Sequence, residues 1–224
     1  MRTFPHVFEP DGKAILHSDF HMKGNWKKGF FGNEHPLVLE VGCGRGEYTV
    51  QLGSRFPREN YIGIDIKGAR MWKGARESLD LGLTNVAFLR TRVEFLERIF
   101  APGEVDEIWV TFPDPQPQKP RKRLTSARFL NRYAKYLKPG GRVHLKSDSL
   151  IMYRYTSEVL RINGIEPEIV TPDLYTSGLA DEILSIRTHY ESGYILKGKP
   201  ITYTRFRLEG DKILEEPADQ EDNA

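Results

Sequence analysis

The sequence predicts an α/β fold, in which a mainly parallel sheet is covered by helices on both faces. Apolar stretches rich in β-branched and aromatic residues alternate with stretches of helical length along most of the chain. Strands and helices that alternate at this spacing indicate right-handed crossovers between parallel strands. A glycine-rich loop directly follows the first regular strand, at the kind of edge where open α/β sheets bind ligands.

Seven strands and five helices are expected between residues 37 and 208. The strands are expected at 37–41, 61–64, 86–89, 108–112, 142–146, 166–170 and 203–208. The helices are expected at about 47–56, 68–81, 93–100, 126–137 and 150–162, and several of them end at Gly or Pro. The long connection at 172–200 has no assigned element, and a connection of that length is usually functional or contains an unrecognised element.

Composition predicts one domain with two distinct ends. The 224 residues show no internal repeat and no Ser/Gly linker, so residues 37–208 are assigned to a single domain. Residues 1–36 mix aromatic, glycine and basic residues without a regular period, which indicates an N-terminal arm packed on the body. Residues 209–224 hold seven acidic residues and one base, and we expect a mobile, solvated tail that does not enter the site. The net charge of +2 therefore divides into +8 for residues 1–208 and -6 for the tail.

Composition also excludes several classes of protein. The longest apolar runs, such as Leu37–Val41, are far shorter than the roughly 18–20 residues of a membrane helix. No apolar signal region stands near the start, so we expect a cytoplasmic protein that does not bind membranes. Cys43 is the single cysteine, which excludes an intrachain disulfide framework. The histidines show no metal-ligand spacing, and we expect no bound metal.

The glycine loop is the first candidate ligand site. It reads Glu40-Val-Gly-Cys-Gly-Arg-Gly46, which places the third glycine one position too early for a dinucleotide fingerprint and lacks the Lys-Ser/Thr of a P-loop. An acid before three alternating glycines is similar to the cofactor loop of S-adenosylmethionine methyltransferases, although the glycines could serve only the turn. Asp65 ends the second strand, where an acid can accept hydrogen bonds from ribose hydroxyls or cap the next helix.

A stiff, basic loop follows the fourth strand. Prolines at 113, 115, 117 and 120 restrict its backbone, and we expect it to project Asp114 towards the cofactor cleft. Residues 112–128 carry a net charge of +4, which suits phosphate contacts, although such runs can also be ordinary solvated surface. Asp148 after the fifth strand and the stretch from Thr188 to Glu191 are weaker candidates, since both could be helix caps.

Five features in this order resemble the bacterial tRNA (guanine-N7)-methyltransferase family. They are Glu-x-Gly-x-Gly-x-Gly, Ile-Gly-Ile-Asp, Phe-Pro-Asp-Pro with a basic tail, Lys-Ser-Asp and Thr-x-Tyr-Glu, and they span residues 37–207. The resemblance implies a Rossmann-like class I methyltransferase fold with a seven-stranded, mainly parallel sheet. It also implies S-adenosyl-L-methionine as cofactor, tRNA as partner and methylation of guanine-46 at N7 in the variable loop. We expect a monomer or homodimer.

The resemblance implies roles for individual residues. Cofactor contact is expected from Glu40, Gly42, Gly44, Gly46, Asp65, Arg92 and Asp114, of which Asp114 is also catalytic. Substrate contact is expected from Asp148, Thr188, Tyr190, Glu191, Gln118, Lys119, Arg121, Lys122 and Arg123. The chain departs from the family pattern at Gln116 and Gln118, where Trp and Lys are usual, at Arg92, where an acid or amide is usual, and at Ser147 and Ser149.

The expected reaction needs few reactive side chains. Guanine N7 is already an acceptor lone pair, so its attack on a sulfonium methyl group needs alignment more than a strong base. Asp114 or Asp148 is expected to accept hydrogen bonds from the guanine edge, and the sequence does not decide between them. Two other classes stay open: a small-molecule methyltransferase or aminopropyltransferase-like enzyme, and a non-catalytic RNA-binding relative.

Overall fold

The computed structural model describes residues 3–210 and 212–218. Within these ranges the strands are β1 (Val7–Phe8), β2 (Leu37–Val41), β3 (Asn60–Asp65), β4 (Val86–Arg90), β5 (Val105–Thr111), β6 (Leu137–Ser147), β7 (Pro167–Thr171) and β8 (Thr202–Leu208). The α-helices are α1 (Glu47–Arg55), α2 (Gly68–Asp80), α3 (Ala127–Tyr133), α4 (Leu150–Ile162) and α5 (His189–Leu196). None of the described helices is long and apolar enough to cross a membrane.

The strands form one sheet in the order β1-β4-β3-β2-β5-β6-β8-β7. Strand β8 runs antiparallel to both of its neighbours, and the other pairs are parallel. The predicted Rossmann-like fold is confirmed, with the two-residue β1 of the N-terminal arm as an eighth strand beside β4. The strand order reverses between β2 and β5, and this reversal opens a crevice at the carboxyl ends of these strands.

Strand β2 shows why both faces of the sheet are covered. All five of its side chains are buried. Leu37, Leu39 and Val41 join an apolar cluster with α3, α4 and the arm residue Trp26. Val38 joins a second cluster on the opposite face with α1, α2 and part of the connection after β7. Because successive side chains of a strand point to opposite faces, five consecutive buried residues show that β2 is covered on both faces.

Several predicted elements differ in the structure, where the strands expected to begin at residues 108 and 142 begin at Val105 and Leu137. The expected helix at 93–100 is a 3-10 helix, Val93–Arg98. Helix α3 ends at Tyr133, because Leu137 pairs with Val105 and already belongs to β6. The connection at 172–200 contains α5, which begins after Thr188. The capping-box spacing that the sequence showed there is formed, and it starts a helix that propensity alone did not indicate.

The arm, as far as residues 3–36 describe it, packs on the body. Trp26 is fully buried, and its indole nitrogen donates to the carbonyl of Ile99 at 3.0 Å. The carboxylate of Glu104 accepts from the backbone nitrogens of Gly24 and Trp26 at 2.8 and 3.0 Å. These contacts join the arm to the segment that leads into β5.

The C-terminal segment, residues 212–218, lies against α3 and α4. Leu214 is buried in the core, and its backbone exchanges two hydrogen bonds with the Asn131 side chain at 2.8 and 2.9 Å. The prediction of a wholly solvated tail is therefore wrong at Leu214, whereas Lys212, Ile213, Glu215 and Ala218 are exposed. A count of charges overlooks the single leucine that anchors the segment. Residue 211 and residues 219–224 of the predicted tail lie outside the described residues.

Candidate functional site

A cleft of about 330 Å³ lies at the carboxyl ends of β2, β3 and β5. Its walls are the glycine loop after β2, the end of β3, the proline loop (residues 112–123) after β5 and the start of α5. The sheet places this cleft at the point where the strand order reverses. Of the predicted site residues, Glu40, Gly42, Gly44, Asp65, Asp114, Lys122, Thr188 and Tyr190 line it.

The glycine loop turns sharply because its three glycines adopt positive φ angles, 81° at Gly42, 56° at Gly44 and 72° at Gly46. The backbone nitrogens of Gly42 and Cys43 both donate to the carbonyl of Ile64, at 2.8 and 3.0 Å, and tie the loop to β3. Gly46 does not line the cleft. A Cβ there would lie 2.5 Å from the Phe88 ring, so this glycine allows the loop to pack against a side chain of β4.

Glu40 is a buried carboxylate at the floor of the cleft. Its Oε2 accepts from the backbone nitrogen of Thr49 at 2.9 Å and from the Thr49 hydroxyl, and its Oε1 accepts from the Thr111 hydroxyl. Burial raises the pKa of Glu40 to about 7, although these hydrogen bonds act in the opposite direction. A positively charged ligand in the cleft would stabilise the ionised form.

Asp65 holds the rim of the cleft. Its Oδ2 accepts from the backbone nitrogen of Gly44 at 2.9 Å, and its Oδ1 accepts from that of Lys67 at 2.8 Å. Both bonds shape the loops on either side of the carboxylate. Lys67, not Asp65, occupies the N-cap position of α2 and offers no side-chain cap. The alternative role of Asp65 as that helix cap is therefore not seen.

The proline loop is strained around Asp114. Phe112 and Gln116 have φ angles of 47° and 44°, a region that residues other than glycine rarely adopt. Asp114 is exposed, lines the cleft, and accepts a hydrogen bond from the Gln116 backbone nitrogen at 3.1 Å. Strained residues persist only where surrounding contacts hold them.

Arg123 supplies such contacts, and the prediction that it contacts substrate is not supported by its position. The residue is only 7% exposed. Its Nε donates to the carbonyl of Pro115 at 2.9 Å, and its Nη2 donates to that of Pro117 at 3.3 Å. Arg123 therefore stabilises the loop from inside, while the other basic residues of the loop, Lys119, Arg121 and Lys122, are exposed.

The other predicted substrate residues of this loop are exposed. Lys119 and Arg121 form no ion pair among the described residues, and Lys122 lies at the cleft. Gln118 does not line the cleft but faces a second groove, of about 580 Å³, between the proline loop, α4 and the C-terminal segment. Three cations are thus available to a polyanion around Asp114.

Helix α5 forms the opposite wall. Thr188 caps it, and Tyr190 lies half-exposed at the mouth of the cleft with the Arg45 guanidinium 5.9 Å from its ring centre. Glu191, predicted to contact substrate, is instead fully buried and pairs with the buried Lys146, with Oε1 at 2.9 Å from Nζ. It also accepts from the Tyr175 hydroxyl at 2.6 Å.

The Lys146 ammonium group forms all of its hydrogen bonds with the protein itself. It donates to the carbonyls of Leu184 and Ile186 at 2.7 and 2.8 Å, in addition to Glu191. The backbone nitrogen of His189 donates to Glu47 at 2.7 Å from the side of α1. The start of α5 is therefore held from both β6 and α1, which fixes Thr188 and Tyr190 beside the cleft.

Two further predicted residues lie outside the cleft. The Arg92 side chain is 65% exposed and lies 3.6 Å from Glu94, because the 3-10 helix that begins at Val93 turns Val93 towards the cleft instead. Asp148 lies 3.3 Å from the Lys199 ammonium group and does not line the cleft. Its place directly after β6 and the Lys-Ser-Asp feature were the signals for it, and neither fixes where the side chain points.

Sequence patterns missed several residues that form the cleft. Thr111 anchors Glu40, and Arg45, Ile66 and Arg70 line the walls. The only signal for Thr111 was its position beside Phe-Pro-Asp, and for Arg45 its position between two glycines. Among the described residues, no group of three or more His, Cys, Asp or Glu side chains is arranged to hold a metal ion.

Comparisons with known proteins give a consistent result. A family model described as "Putative methyltransferase" matches residues 34–204. The tRNA (guanine-N(7)-)-methyltransferase of Bacteroides thetaiotaomicron is 55% identical over 217 residues, which are 97% of this chain and 86% of that protein. The enzyme of the same name from Porphyromonas gingivalis is 56% identical over 211 residues, 93% of this chain and 86% of that protein.

Solved structures support the fold at lower identity. The 16S rRNA methyltransferase KamB superimposes with a TM-score of 0.58 at 16% identity, covering 78% of this chain and 88% of that chain. A SAM-dependent methyltransferase from Aquifex aeolicus gives a TM-score of 0.54 at 17% identity, covering 89% of this chain and 99% of that chain. At such identities the similarity establishes the fold alone.

Proposed function

The chain belongs to the tRNA (guanine-N(7)-)-methyltransferase family, and on this premise we propose that it transfers the methyl group of S-adenosyl-L-methionine to N7 of guanine-46 in the tRNA variable loop. The observation that carries the proposal is the position of Asp114. It lies between the glycine-loop cleft and the exposed basic side chains of the proline loop.

The residues of the cleft fit S-adenosyl-L-methionine. Glycines 42 and 44 let the backbone approach a ligand closely, and the Asp65 carboxylate lies at the rim, where it suits ribose hydroxyls. The cleft is lined by acidic and basic residues alike, but the buried carboxylate of Glu40 lies at its floor, where a positively charged group of the ligand would stabilise the ionised form. When bound, this cofactor supplies the methyl group.

Asp114 is the carboxylate we assign to the guanine edge. It lines the cleft and is exposed, whereas Asp148 lies outside and is paired with Lys199. The Asp114 carboxylate accepts hydrogen bonds from guanine N1 and N2 and so orients N7. The same contact offsets the positive charge that develops on the base as N7 is alkylated. Lys119, Arg121 and Lys122 bind phosphates of the RNA that leads to this base.

Tyr190 is assigned to the opposite side of the base. Its ring lies at the cleft mouth next to the Arg45 guanidinium, and aromatic and guanidinium planes both stack on unpaired RNA bases. Thr188 holds the start of the helix that carries this ring. Action on tRNA in the cytoplasm, as a monomer or homodimer, stays a prediction.

The test is to incubate the protein with methyl-labelled S-adenosyl-L-methionine and an unmodified tRNA transcript, and then map the labelled nucleotide. We expect N7-methylguanosine at position 46, and no label in a matched transcript with adenosine at that position. Cofactor binding without tRNA methylation would favour a small-molecule methyltransferase. RNA binding without cofactor binding would favour a non-catalytic relative.

A further inference from the structure

Among the described residues, the backbone hydrogen bonds within the proline loop lie between Gln116 and Arg123, and they do not reach the Asp114 backbone. The loop's prolines at 113, 115, 117 and 120 lack backbone donors, and two of its other residues are held at positive φ. The carbonyls of Pro115 and Pro117 are instead taken up by the Arg123 guanidinium. The geometry of Asp114 therefore depends on where that guanidinium is held.

Outside the loop, Tyr155 contacts the Arg123 guanidinium directly, and Glu216 in turn holds Tyr155. The central carbon of the guanidinium lies 4.5 Å from the centre of the Tyr155 ring, on α4. The Tyr155 hydroxyl in turn donates to Glu216 Oε2, in the C-terminal segment. An arginine stacked on an aromatic ring and fixed by hydrogen bonds on its edge has little freedom to move.

Glu216 is itself held in place. Its Oε1 accepts from the backbone nitrogen of Arg128 at 3.0 Å, in the first turn of α3, where a negative charge is favourable. The backbone of the preceding residue exchanges hydrogen bonds with the Asn163 side chain at 2.8 and 2.9 Å. A continuous series of contacts thus runs from the C-terminal segment through α4 to the loop of Asp114.

We propose that Tyr155 and Glu216 are positioning residues for tRNA methylation, which act through Arg123 to fix the loop that carries Asp114. The inference rests on the proposed function, because it takes Asp114 as the residue that meets the base. It assigns a role in the reaction to a segment whose acidic composition suggested none. A small displacement of a group that orients a substrate lowers turnover without lowering cofactor affinity.

Two conservative variants and one matched control test the proposal. Tyr155→Phe keeps the ring under Arg123 and removes only the hydroxyl, and Glu216→Gln removes the charge that this hydroxyl meets. Glu215→Gln makes the same charge change one residue away, at an exposed position. Amide hydrogen exchange is measured on the full, cofactor-free chain at Lys119, Lys122 and Arg123, whose backbone nitrogens bond within the loop.

We expect loop exchange in Tyr155→Phe and Glu216→Gln to rise about tenfold while exchange in α1 stays unchanged. We expect kcat on tRNA to fall about fivefold to tenfold, with cofactor affinity within twofold of the unmodified protein and Glu215→Gln indistinguishable from it. Arg123→Lys should show the same pattern, because lysine keeps the charge but cannot bind two carbonyls while stacked.

The proposal is overturned if both variants match Glu215→Gln in loop exchange and kcat. It is also overturned if kcat falls without faster loop exchange, or if exchange rises equally in α1, since the effect would then not pass through the loop. Failure of the unmodified protein to methylate tRNA would refute the proposed function instead. The exchange measurements would still report whether Tyr155 and Glu216 restrain the loop.

Discussion

The two sides of the cleft are built differently. On the glycine-loop side, Glu40, Gly42, Gly44 and Asp65 line the cleft, while the predicted cofactor residues Gly46 and Arg92 do not. On the side of the proline loop and α5, charged residues of the same motifs divide into two groups. Some face the cleft or solvent, as Asp114 and Lys122 do, and others are buried supports.

Arg123 and Glu191 show what this difference teaches. Each stands in a motif that the family resemblance assigns to substrate, and each is buried with its polar atoms bonded to the protein. A rigid loop of prolines and a helix that starts in a long connection both need support from outside themselves. The same motif therefore supplies the groups that meet a substrate and the groups that hold them in place.

The largest expected effect concerns the buried ion pair on the α5 side. Lys146→Met leaves the Glu191 carboxylate buried without its partner, and we expect a loss of about 3–5 kcal/mol in the free energy of unfolding. The double variant Lys146→Met/Glu191→Leu should recover part of it, because it removes the unpaired charge but still leaves the carbonyls of Leu184 and Ile186 without the Lys146 donor. Chemical denaturation measures both values, and equal stability of the single and double variants would contradict the supporting role.

Glu40 gives the next largest effect, on the glycine-loop side. Its pKa is about 7 when folded, so folding carries a penalty that grows as pH rises from its ordinary value of 4.5 to about 7. Glu40→Gln escapes this penalty. We expect it to be more stable than the unmodified protein by about 3 kcal/mol at pH 8 and nearly equal at pH 4.

The same substitution should weaken binding of S-adenosyl-L-methionine, since it removes a negative charge from the cleft. Denaturant titrations at the two pH values check the stability, and calorimetry checks the binding. The quantity compared is the difference in free energy of unfolding between Glu40→Gln and the unmodified protein. If this difference is the same at pH 8 as at pH 4, Glu40 is ionised in the folded protein without cost.

The smallest effect compares two arginines that stand two positions apart in the proline loop. The logarithm of the affinity for tRNA falls linearly with the logarithm of the salt concentration. Arg121→Gln should make the slope of this fall less steep by about one, because an exposed phosphate contact is lost. Arg123→Gln should leave this slope unchanged and instead loosen the loop. If Arg123→Gln changes this slope as much as Arg121→Gln does, Arg123 contacts the RNA after all.

Most of the fold was predictable from the sequence. Buried parallel strands read as apolar runs, and α1, α2 and α4 end within a residue of their predicted limits. The site was predictable where the backbone itself forms it, as at Gly42 and Gly44. It was not predictable where side-chain direction decides, as at Arg92 and Asp148, because a position after a strand does not fix which way a side chain points.

The C-terminal segment also shows that local sequence patterns do not reveal long-range contacts. Its charge predicts solvation, yet Leu214 and Glu216 bind it to α3 and α4. One apolar residue and one well-placed carboxylate outweigh the average composition. Long-range partners such as Tyr155 and Glu216 are 61 positions apart in the chain, and no local pattern indicates them.

The most direct test of the division between the two sides is Asp114→Asn, with tRNA methylation and cofactor affinity measured on the same preparation. Asn keeps the size and can keep the bond to the Gln116 backbone, but it cannot carry the negative charge that the proposed contact with the guanine edge requires. We predict a fall in kcat of about 10²-fold or more, with the Kd for S-adenosyl-L-methionine within about threefold. Near-normal turnover, or a loss of cofactor affinity as large as the loss of turnover, would contradict the assignment of Asp114 to the substrate.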